Sequence, residues 1–453
     1  MDSSDDQRPL RSSDDLLELF AAAEKPRSQF RIGTEAEKFA VDTQTGAPLE
    51  YDGARGVTRI FAALRELGWE EVERETAGGP LIALRRGPAS ITLEPGSQFE
   101  LSGAAVSSIH ETRAELDLHL AELAAVSKEM NLTWLGVGFH PLAKQSDLGW
   151  VPKQRYAIMR EYLPTKGSGG LDMMRRTATV QANFDFSSEA DALRKLVICL
   201  KLGPLVNALG ANSPFEEGKL SGYKSRRGFT WLNMDPSRSG LIPALLRAKR
   251  PGYRDYIEWA LDAGMFLFKR SGRVFANTGQ TFRDFMSHGF EGERATFDDW
   301  KMHLNTLFPE ARLKSTLEVR SSDSLPSRLG CAVPALFTGI LYDDRALDEA
   351  ESFAAELDVD ALLQARPELV QHGLAASVGN RSMQELALRV LEIAEGGLAR
   401  RASRNAQGED ERVHLAPLTS LVQLGKTPAD ALIAGLDAES RPSVADIIRR
   451  THL

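Results

Sequence analysis

The sequence predicts an α+β protein, with a mainly antiparallel sheet that packs on helices through its apolar face and lines a polar cleft with its other face. Four segments alternate polar and apolar residues with a period of two, which is typical of half-buried strands: residues 30–41, 91–101, 177–186 and 313–320. Other stretches repeat apolar residues at helical spacing and begin with capping residues. Beyond Asp343 the chain is predicted to be helical.

The first of these strands carries two carboxylates on one face. Within residues 30–41, Glu35 and Glu37 are two positions apart, so their side chains point to the same side of the strand. Such a pair repels unless water, a cation or basic groups lie between the two charges. One interpretation is a solvated outer face, since charged side chains are mostly exposed. The other is half of a divalent-metal site built from hard oxygen ligands.

The other three strands favour the metal interpretation, because their polar faces are rich in Glu, Asn, Gln and Arg rather than Lys, Ser and Thr. The side chains of interest on these faces are Glu94, Glu100, Asn183, Lys314, Glu318 and Arg320. Within residues 91–101, Pro95-Gly96 predicts a bulge or bend that re-aims the second half of the strand. We therefore expect the strands to converge on one polar, metal-holding cleft.

The remaining elements follow in chain order. A hairpin begins at residues 81–86 and turns at Gly87-Pro88, and residues 132–139 are apolar enough for a central strand. Helices are predicted over residues 14–24, 56–67, 107–130, 188–209, 346–356, 359–366 and 382–398, with short ones after residues 427 and 443. We expect a disordered tail over residues 1–12, a main unit over residues 13–345, and a helical layer of the same domain over residues 346–453.

Composition limits the partners of the protein. A net charge of −8 argues against a general nucleic-acid binder, since neutralising phosphates requires a basic footprint. The sequence has no run of about 18 uninterrupted apolar residues, so no membrane span is expected. The two cysteines, Cys199 and Cys331, lie in apolar surroundings, which indicates buried thiols in a reducing compartment, and the polar start lacks the features of a signal peptide. We expect a cytoplasmic protein, monomeric or homodimeric, that acts on small molecules.

Two loop-rich segments add basic residues. Residues 152–164 combine three basic residues with two tyrosines and lead into a glycine cluster, residues 166–170, which lacks the ending of a phosphate loop and is predicted to be a mobile connection. Residues 212–240 hold Arg227, Trp231 and Arg238 in an irregular stretch, which favours anion binding. Ordinary surface arginines remain the alternative.

Several glutamates, an asparagine and basic residues on converging strands fit phosphoryl transfer well. Carboxylates would hold Mg²⁺ ions that bridge the phosphates of a nucleotide, while lysine and arginine stabilise the transferred group. Zinc is not expected, since the sequence has no His-x-x-x-His or Cys-x-x-Cys motif, and a serine hydrolase lacks its Gly-x-Ser-x-Gly motif. Glu35 and Glu37 are too close together to flank a glycosidic bond by themselves.

The ordered blocks of the sequence resemble the glutamate–cysteine ligases, most closely the plant-type branch that is also found in bacteria. The resemblance runs from about residue 30 to residue 345 and more thinly to the C-terminus. It rests on these blocks taken together: Gly33-Thr-Glu-Ala-Glu-Lys38, Leu93-Glu-Pro-Gly-Ser-Gln-Phe-Glu-Leu-Ser102, Leu171-Asp-Met-Met-Arg-Arg-Thr177, Val180-Gln-Ala-Asn-Phe-Asp-Phe186, Ala211-Asn-Ser-Pro-Phe215 and residues 313–320.

The resemblance implies a glutamine-synthetase-like fold, a funnel of antiparallel strands with helices outside, with residues 13–345 as the catalytic ligase domain. It also implies ATP- and Mg²⁺-dependent joining of the glutamate γ-carboxylate to the amine of cysteine, through an acyl phosphate. Two alternatives stay open at this point: a γ-glutamyl ligase for a different amine, and a non-catalytic relative that binds nucleotide or metal.

The resemblance also implies roles for individual residues of this sequence. By this resemblance, the metal-facing carboxylates are Glu35, Glu37, Glu94, Glu100 and Glu318. The substrate-binding residues are Arg176, Arg227, Arg238, Trp231 and Asn183, and the catalytic group is Arg320, Glu318 and Lys314. The sequence departs from the plant pattern at its cysteines, since only Cys331 matches a plant position, within Arg328-Leu-Gly-Cys-Ala-Val-Pro-Ala-Leu-Phe337. We therefore expect no disulfide switch.

Overall fold

The computed structural model describes residues 7–76, 78–437 and 439–453. Its strands, in chain order, are β1 Ile32–Asp42, β2 Glu70–Arg74, β3 Leu81–Arg86, β4 Ala89–Leu93, β5 Phe99–Ser102, β6 Leu132–Leu135, β7 Val180–Phe184, β8 Phe215–Glu216, β9 Lys219–Leu220, β10 Ser239–Gly240, β11 Leu267–Arg270, β12 Arg273–Ala276, β13 Phe308–Pro309, β14 Ala311–Leu313, β15 Leu317–Val319, β16 Ser377–Val378 and β17 Arg381–Ser382.

The helices are α1 Ser13–Ala21, α2 Val57–Arg65, α3 Ile109–Ser127, α4 Gln154–Tyr162, α5 Gly170–Arg176, α6 Glu189–Leu209, α7 Arg226–Leu232, α8 Pro243–Arg247, α9 Tyr253–Asp262, α10 Phe282–His288, α11 Phe297–Leu304, α12 Ala332–Leu341, α13 Asp344–Ala355, α14 Val359–His372, α15 Met383–Arg401, α16 Ala416–Gln423, α17 Pro428–Leu432 and α18 Val444–Thr451. Among the described residues, no helix is long and apolar enough to cross a membrane.

One antiparallel sheet organises the molecule around β1. Its strands run in the order β14-β15-β7-β1-β5-β4-β3-β2, and β6 pairs with the far end of β1. The face with Ile91, Leu101 and Val180 is buried, and α3, α6 and α12 pack against strands of the sheet. The opposite face carries the polar side chains, because successive residues of a strand alternate between faces.

The structure confirms the first and third predicted strands and corrects the other two. Residues 91–101 do not form one bent strand: β4 and β5 are the two arms of a hairpin that reverses between Leu93 and Phe99. Ser97 adopts a φ of 67° in this reversal. Residues 313–320 likewise form a reversal between β14 and β15, with Lys314 at its start. Each of these turns folds a short segment into two paired strands, so polar side chains from both arms of the hairpin lie next to each other.

The helices that were predicted from apolar residues at helical spacing are present, with small shifts of their ends. α3 and α6 begin after the caps Ser108 and Ser188, and α1 begins after the cap Ser12. In the final third, α14 and α15 pack against α6, and α15 also packs against α12. This third of the chain therefore lies against the same core that supports the sheet.

The predicted disordered tail is wrong for its last residues. Arg8, Pro9 and Leu10 pair with residues 295–297: the amide of Leu10 donates to the carbonyl of Ala295 at 2.9 Å, and Pro9 forms a bridge with Thr296. These contacts hold the segment on the body of the protein. Residues 1–6 of the predicted tail lie outside the described residues.

Candidate active site

A cleft with a volume of about 470 Å³ lies over the polar face of the sheet. Four carboxylates line it, which we call the acidic group: Glu35, Glu37, Glu94 and Glu100. Six cationic side chains also line it, and four of them form what we call the basic group: Arg227, Arg312, Lys314 and Arg320. The other two are Arg155 and Lys269. Trp231, Phe308 and several methionines complete the lining. The cleft therefore brings opposite charges together around one space.

Strand pairing assembles the acidic group. Glu37 on β1 lies directly opposite Glu100 on β5, and Glu94 immediately follows β4. Glu35 accepts a hydrogen bond from the Asn183 amide at 2.9 Å, and Glu37 accepts one from the backbone amide of Thr179 at 3.0 Å. The donors to these two carboxylates are neutral, so hydrogen bonding holds them in place without cancelling their charge.

The electrostatics of the acidic group favour a cation. Burial, with repulsion from Glu318 and Glu100, raises the pKa of Glu35 to about 7. Burial, with repulsion from Glu94 and Glu100, raises the pKa of Glu37 well above its ordinary value, and the pKa of Glu100 is also raised, by burial and by Glu94. Buried like charges raise each other's pKa unless an opposite charge joins them.

Protein ligands alone do not complete a metal site here. Within the described residues, no three His, Cys, Asp or Glu side chains converge closely enough to hold a metal ion. Mg²⁺ is commonly held by one or two carboxylates together with substrate phosphates and water. The donor set therefore suits Mg²⁺ that arrives with a phosphate-bearing substrate.

Glu318 has contacts that differ from those of the acidic group. It is fully buried, and Arg312 donates to both of its oxygens, at 2.8 and 3.0 Å. Lys314 lies 3.2 Å from it, and Arg320 donates to it as well. Burial alone would raise the pKa of Glu318, but these three positive charges outweigh burial and hold the pKa well below its usual range. These contacts favour a structural role for Glu318, in which it holds Arg312, Lys314 and Arg320 together. They argue against the predicted role of Glu318 as a metal ligand.

Arg227 and Trp231 lie on α7 at the side of the cleft. The guanidinium of Arg227 donates to the backbone carbonyls of Ser321 at 3.0 Å and Arg320 at 2.8 Å, and it lies 5.7 Å from the ring of Trp231. The Nε of Arg227 and the Nε1 of Trp231 are buried and have no hydrogen-bond partner in the described part of the chain. These two donors suit a ligand carboxylate.

Two predicted substrate-binding arginines do not line this cleft, which corrects the prediction for Arg238 and Arg176. Arg238 is fully buried and donates to Asp235 at 2.9 Å and to the carbonyls of Gly264 and Thr306. Arg176 lies over the ring of Phe139 and pairs with carboxylates, at 3.3 Å from Asp172 and 3.5 Å from Glu217. The guanidinium of Arg238 is therefore engaged by the protein itself. Among the described residues, the Nε and one terminal nitrogen of Arg176 are buried without a hydrogen-bond partner.

The sequence interpretation missed Arg312 and left Arg155 without a role. Arg312 faces Glu318 across the β14–β15 hairpin, which had been interpreted as one strand. Arg155 lines the cleft from α4, within the basic and tyrosine-rich segment already noted. Tyr156 anchors that helix, since its hydroxyl donates to the carbonyl of Leu93 at 2.9 Å. The remaining predicted residue, Asn183, orients Glu35 and accepts from Thr316 at 3.1 Å.

Comparison with known proteins shows the family of this chain. A family model described as glutamate-cysteine ligase family 2 matches residues 31–449. The chloroplastic glutamate–cysteine ligase of Brassica juncea is 39% identical over 439 residues, covering 96% of this chain and 83% of that protein. The chloroplastic enzyme of Arabidopsis thaliana is 39% identical over 434 residues, covering 95% of this chain and 81% of that protein.

A solved structure shares the fold at low sequence identity. The glutamate–cysteine ligase of Francisella tularensis, crystallised in complex with AMP, superposes with a TM-score of 0.53 and 12% identity, covering 93% of this chain and 87% of that chain. The α+β fold, a cleft lined by acidic and basic groups, and these relatives together define the class, a carboxylate–amine ligase. The chain belongs to glutamate–cysteine ligase family 2. The predicted family, fold class and enzyme class are confirmed.

Proposed function

We propose that this ligase uses ATP and Mg²⁺ to join the γ-carboxylate of L-glutamate to the amine of L-cysteine, giving γ-glutamylcysteine, ADP and phosphate in the first step of glutathione biosynthesis. The observation that carries the proposal is that the acidic and basic groups line one cleft over the polar face of the sheet. Nucleotide use is supported by the AMP complex of the Francisella tularensis structural neighbour. The choice of glutamate and cysteine is supported by the names of the plant relatives.

The acidic group is the proposed magnesium-binding surface. Glu35, Glu37, Glu94 and Glu100 present carboxylate oxygens to the cleft, and the buried ones repel each other as they stand. When bound, Mg²⁺ would screen this repulsion and neutralise phosphate charge. We leave Glu318 out of this surface, because Arg312, Lys314 and Arg320 already neutralise it.

Within the basic group, Arg320 and Lys314 form the proposed site for the transferred phosphoryl group. Arg320 donates to Gln181 at 2.7 Å and to Glu318, so its guanidinium is fixed in direction. Lys314 is held by the same carboxylate at 3.2 Å. Fixed cations aimed at developing negative charge stabilise a transition state without reorganisation. In this proposal Glu318 positions Arg320 and Lys314, and these two bind phosphoryl oxygens.

Arg227 and Trp231 are the proposed contacts for the α-carboxylate of glutamate. Arg227 is nearly fully buried between the cleft and the carbonyls of residues 320 and 321. A guanidinium matches a carboxylate with parallel hydrogen bonds, and the buried indole N–H adds a donor. Asn183 acts indirectly, by orienting Glu35.

The organisation of the chain is proposed on the same basis. Residues 13–345 are the catalytic ligase domain, and residues 346–453 are a helical layer of that domain, which is supported by the packing of α14 and α15 on α6. We propose a monomer or homodimer without a nucleic-acid partner, in keeping with the net charge of −8. A cytoplasmic location is supported by two buried free thiols.

The test measures ADP release with ATP, Mg²⁺ and glutamate, in the presence of cysteine or of other amines. We expect release and dipeptide formation with cysteine. If ADP is released only with a different amine, that amine and not cysteine is the acceptor. No release with any amine would contradict the ligase proposal, provided that nucleotide binding is measured on the same sample.

A further inference from the structure

Asp323 is a fully buried carboxylate beneath the first turn of α7. Its Oδ2 accepts hydrogen bonds from the backbone amide of Asn212 at 2.8 Å and from the hydroxyl of Ser213 at 2.7 Å. Its Oδ1 accepts one from the hydroxyl of Ser225 at 2.8 Å. The carboxylate therefore receives three donors from two separate segments, and it is rigidly placed.

The two serine hydroxyls pass this arrangement on to α7. A hydroxyl has one proton, so when Ser213 and Ser225 donate to Asp323 their oxygens become acceptors towards the helix. The backbone amide of Arg227 donates to Ser213 at 3.1 Å, and that of Gly228 donates to Ser225 at 2.9 Å. The first amides of a helix lack partners within the helix and need such acceptors. Asp323 thus sets the direction of two hydroxyls that fix the start of α7.

The same segment also holds the other end of Arg227. The guanidinium donates to the carbonyls of Arg320 and Ser321, three and two residues before Asp323, and it lies 3.9 Å from the Asp323 carboxylate. The space around Asp323 is tight, since a methyl group on Gly138 would come within 2.3 Å of its Cγ. Both the backbone and the side chain of Arg227 are therefore located by Asp323 and its immediate neighbours.

We infer that Asp323 is the positioning residue for Arg227: it orders the hydroxyls of Ser213 and Ser225 and supplies the buried negative charge, so that the guanidinium meets the glutamate α-carboxylate at a fixed place. This inference rests on the proposed role of Arg227. A neutral amide at position 323 has one oxygen where the carboxylate has two. With the amide nitrogen in the place of Oδ1, the hydroxyl of Ser225 loses its acceptor. With the nitrogen in the place of Oδ2, the amide of Asn212 and the hydroxyl of Ser213 lose theirs. In either orientation, one serine hydroxyl is no longer fixed as an acceptor for the start of α7.

The test compares Asp323→Asn, Arg227→Lys and the double variant by their steady-state kinetics. For Asp323→Asn we expect the KM for glutamate to rise by about tenfold or more, with the KM for ATP changed by less than about twofold. The double variant is expected to raise the glutamate KM no further than Arg227→Lys alone, because residues that act through one another are not additive. Additive effects, or an equal rise in the KM of every substrate, would overturn the inference.

A matched control separates positioning from loss of stability. Glu411 is also a fully buried carboxylate that accepts from a backbone amide, that of Ile109 at 2.8 Å, and from an arginine, Arg401. It belongs to the helical layer and does not line the cleft. Glu411→Gln is expected to lower the melting temperature and to leave the glutamate KM unchanged. A rise in glutamate KM in this control equal to that in Asp323→Asn would also overturn the inference.

Two further measurements keep the result interpretable. If Asp323→Asn does not fold, Ser213→Ala takes its place, since it removes the acceptor of the Arg227 amide and keeps the charge. It is expected to raise the glutamate KM selectively, and an unchanged KM would overturn the inference. If Arg227→Lys leaves the glutamate KM unchanged, the proposed function of Arg227 is contradicted. If Arg227→Lys raises the glutamate KM but the Asp323 variant behaves as the wild-type protein, only the inference about Asp323 is contradicted.

Discussion

Glu37 and Glu100 lie directly opposite each other on the antiparallel strands β1 and β5. Like charges at opposite positions of a strand pair destabilise a sheet. Burial is the largest cause of the raised pKa of each group, and mutual repulsion within the acidic group adds to it. Glu100 is held by the hydroxyls of Thr92 and Ser102, both at 2.9 Å, which supply no charge. The sheet thus keeps an unfavourable pair at the centre of the cleft, as functional sites often do.

The first prediction separates stability from activity at this pair. Glu37→Gln and Glu100→Gln each remove the repulsion, so we expect the free energy of unfolding in the absence of Mg²⁺ to stay equal or rise by about 0.2–1 kcal/mol. Each variant loses one charged oxygen ligand, so the Mg²⁺ concentration for half-maximal activity is expected to rise about tenfold or more, or activity to be lost. Denaturant unfolding and a Mg²⁺ titration of ADP release measure the two effects.

The control for this prediction is Glu70→Gln, at an exposed position of the edge strand β2. It is expected to match the wild-type protein in both measurements. Wild-type Mg²⁺ dependence in both Glu37→Gln and Glu100→Gln would contradict the placement of the metal on the acidic group.

The second prediction concerns Glu318, whose contacts contrast with those of the acidic group. Glu318→Gln leaves Arg312, Lys314 and Arg320 without their common counter-charge, and breaking a buried ion pair in this way costs about 3–5 kcal/mol of the free energy of unfolding. Activity is expected to fall as well, because the basic group loses its order. Denaturant unfolding at about pH 7 measures the stability loss.

The stability loss from Glu318→Gln should also depend on pH. The folded-state pKa of Glu318 lies below its ordinary value of 4.5, so its contribution to stability is present above that value and is lost as the pH falls through the folded-state pKa. The difference in unfolding free energy between the wild-type protein and Glu318→Gln is therefore expected to narrow from about pH 7 to about pH 3. A constant difference over this range would show that Glu318 is not held as a charged group.

The alternation of polar and apolar residues predicted the faces of the sheet but not all of its strands. Alternation with a period of two residues shows which side chains share a face of a strand. It correctly placed Glu35 and Glu37 on β1 and Asn183 on β7. It does not state where a chain reverses. The β14–β15 reversal uses Lys314 to Thr316, without the glycine or proline that usually marks a turn, and so Arg312 was overlooked as the partner of Glu318.

The roles of the arginines were less predictable from the sequence. The role of a guanidinium depends on the groups that it contacts, and these groups are distant from it in the sequence. Arg227 and Arg238 lie in the same loop-rich segment and are alike in sequence terms. The carbonyls that engage Arg238 belong to Gly264 and Thr306, and only the tertiary structure brings them to it. Both arginines are buried, but only Arg227 faces the cleft.

The third prediction follows from this difference. Arg238→Lys removes the fork that reaches Asp235 and two carbonyls, so we expect a loss of about 2–4 kcal/mol in the free energy of unfolding. The KM for glutamate of the folded fraction is expected to stay unchanged. Steady-state kinetics corrected for the folded fraction check this, and a selective rise in the glutamate KM would restore Arg238 as a substrate-binding residue.

The fourth prediction concerns the two thiols. Cys199 and Cys331 are free and buried, and burial raises the pKa of Cys331 to about 12 and that of Cys199 above its ordinary value. The thiolate is the reactive form, so both cysteines are expected to be inert in the folded protein. Mass spectrometry after iodoacetamide treatment should show no label under native conditions and two labels in denaturant. Activity should not respond to dithiothreitol, and a loss that a reductant reverses would contradict this prediction.

The last prediction concerns how the carboxylate of glutamate is activated. A carboxylate and an amine do not condense in water unaided, so we expect ATP to phosphorylate the γ-carboxylate first. In the proposed arrangement, Arg320 and Lys314 supply positive charge to the acyl phosphate oxygens. Their common partner Glu318 keeps both side chains in place. With glutamate labelled by ¹⁸O in the γ-carboxylate, one labelled oxygen should appear in the released phosphate. The control omits the amine and measures label in phosphate from slow hydrolysis. Dipeptide formation at the normal rate without label in phosphate would exclude the acyl phosphate and, with it, the roles proposed for Arg320 and Lys314.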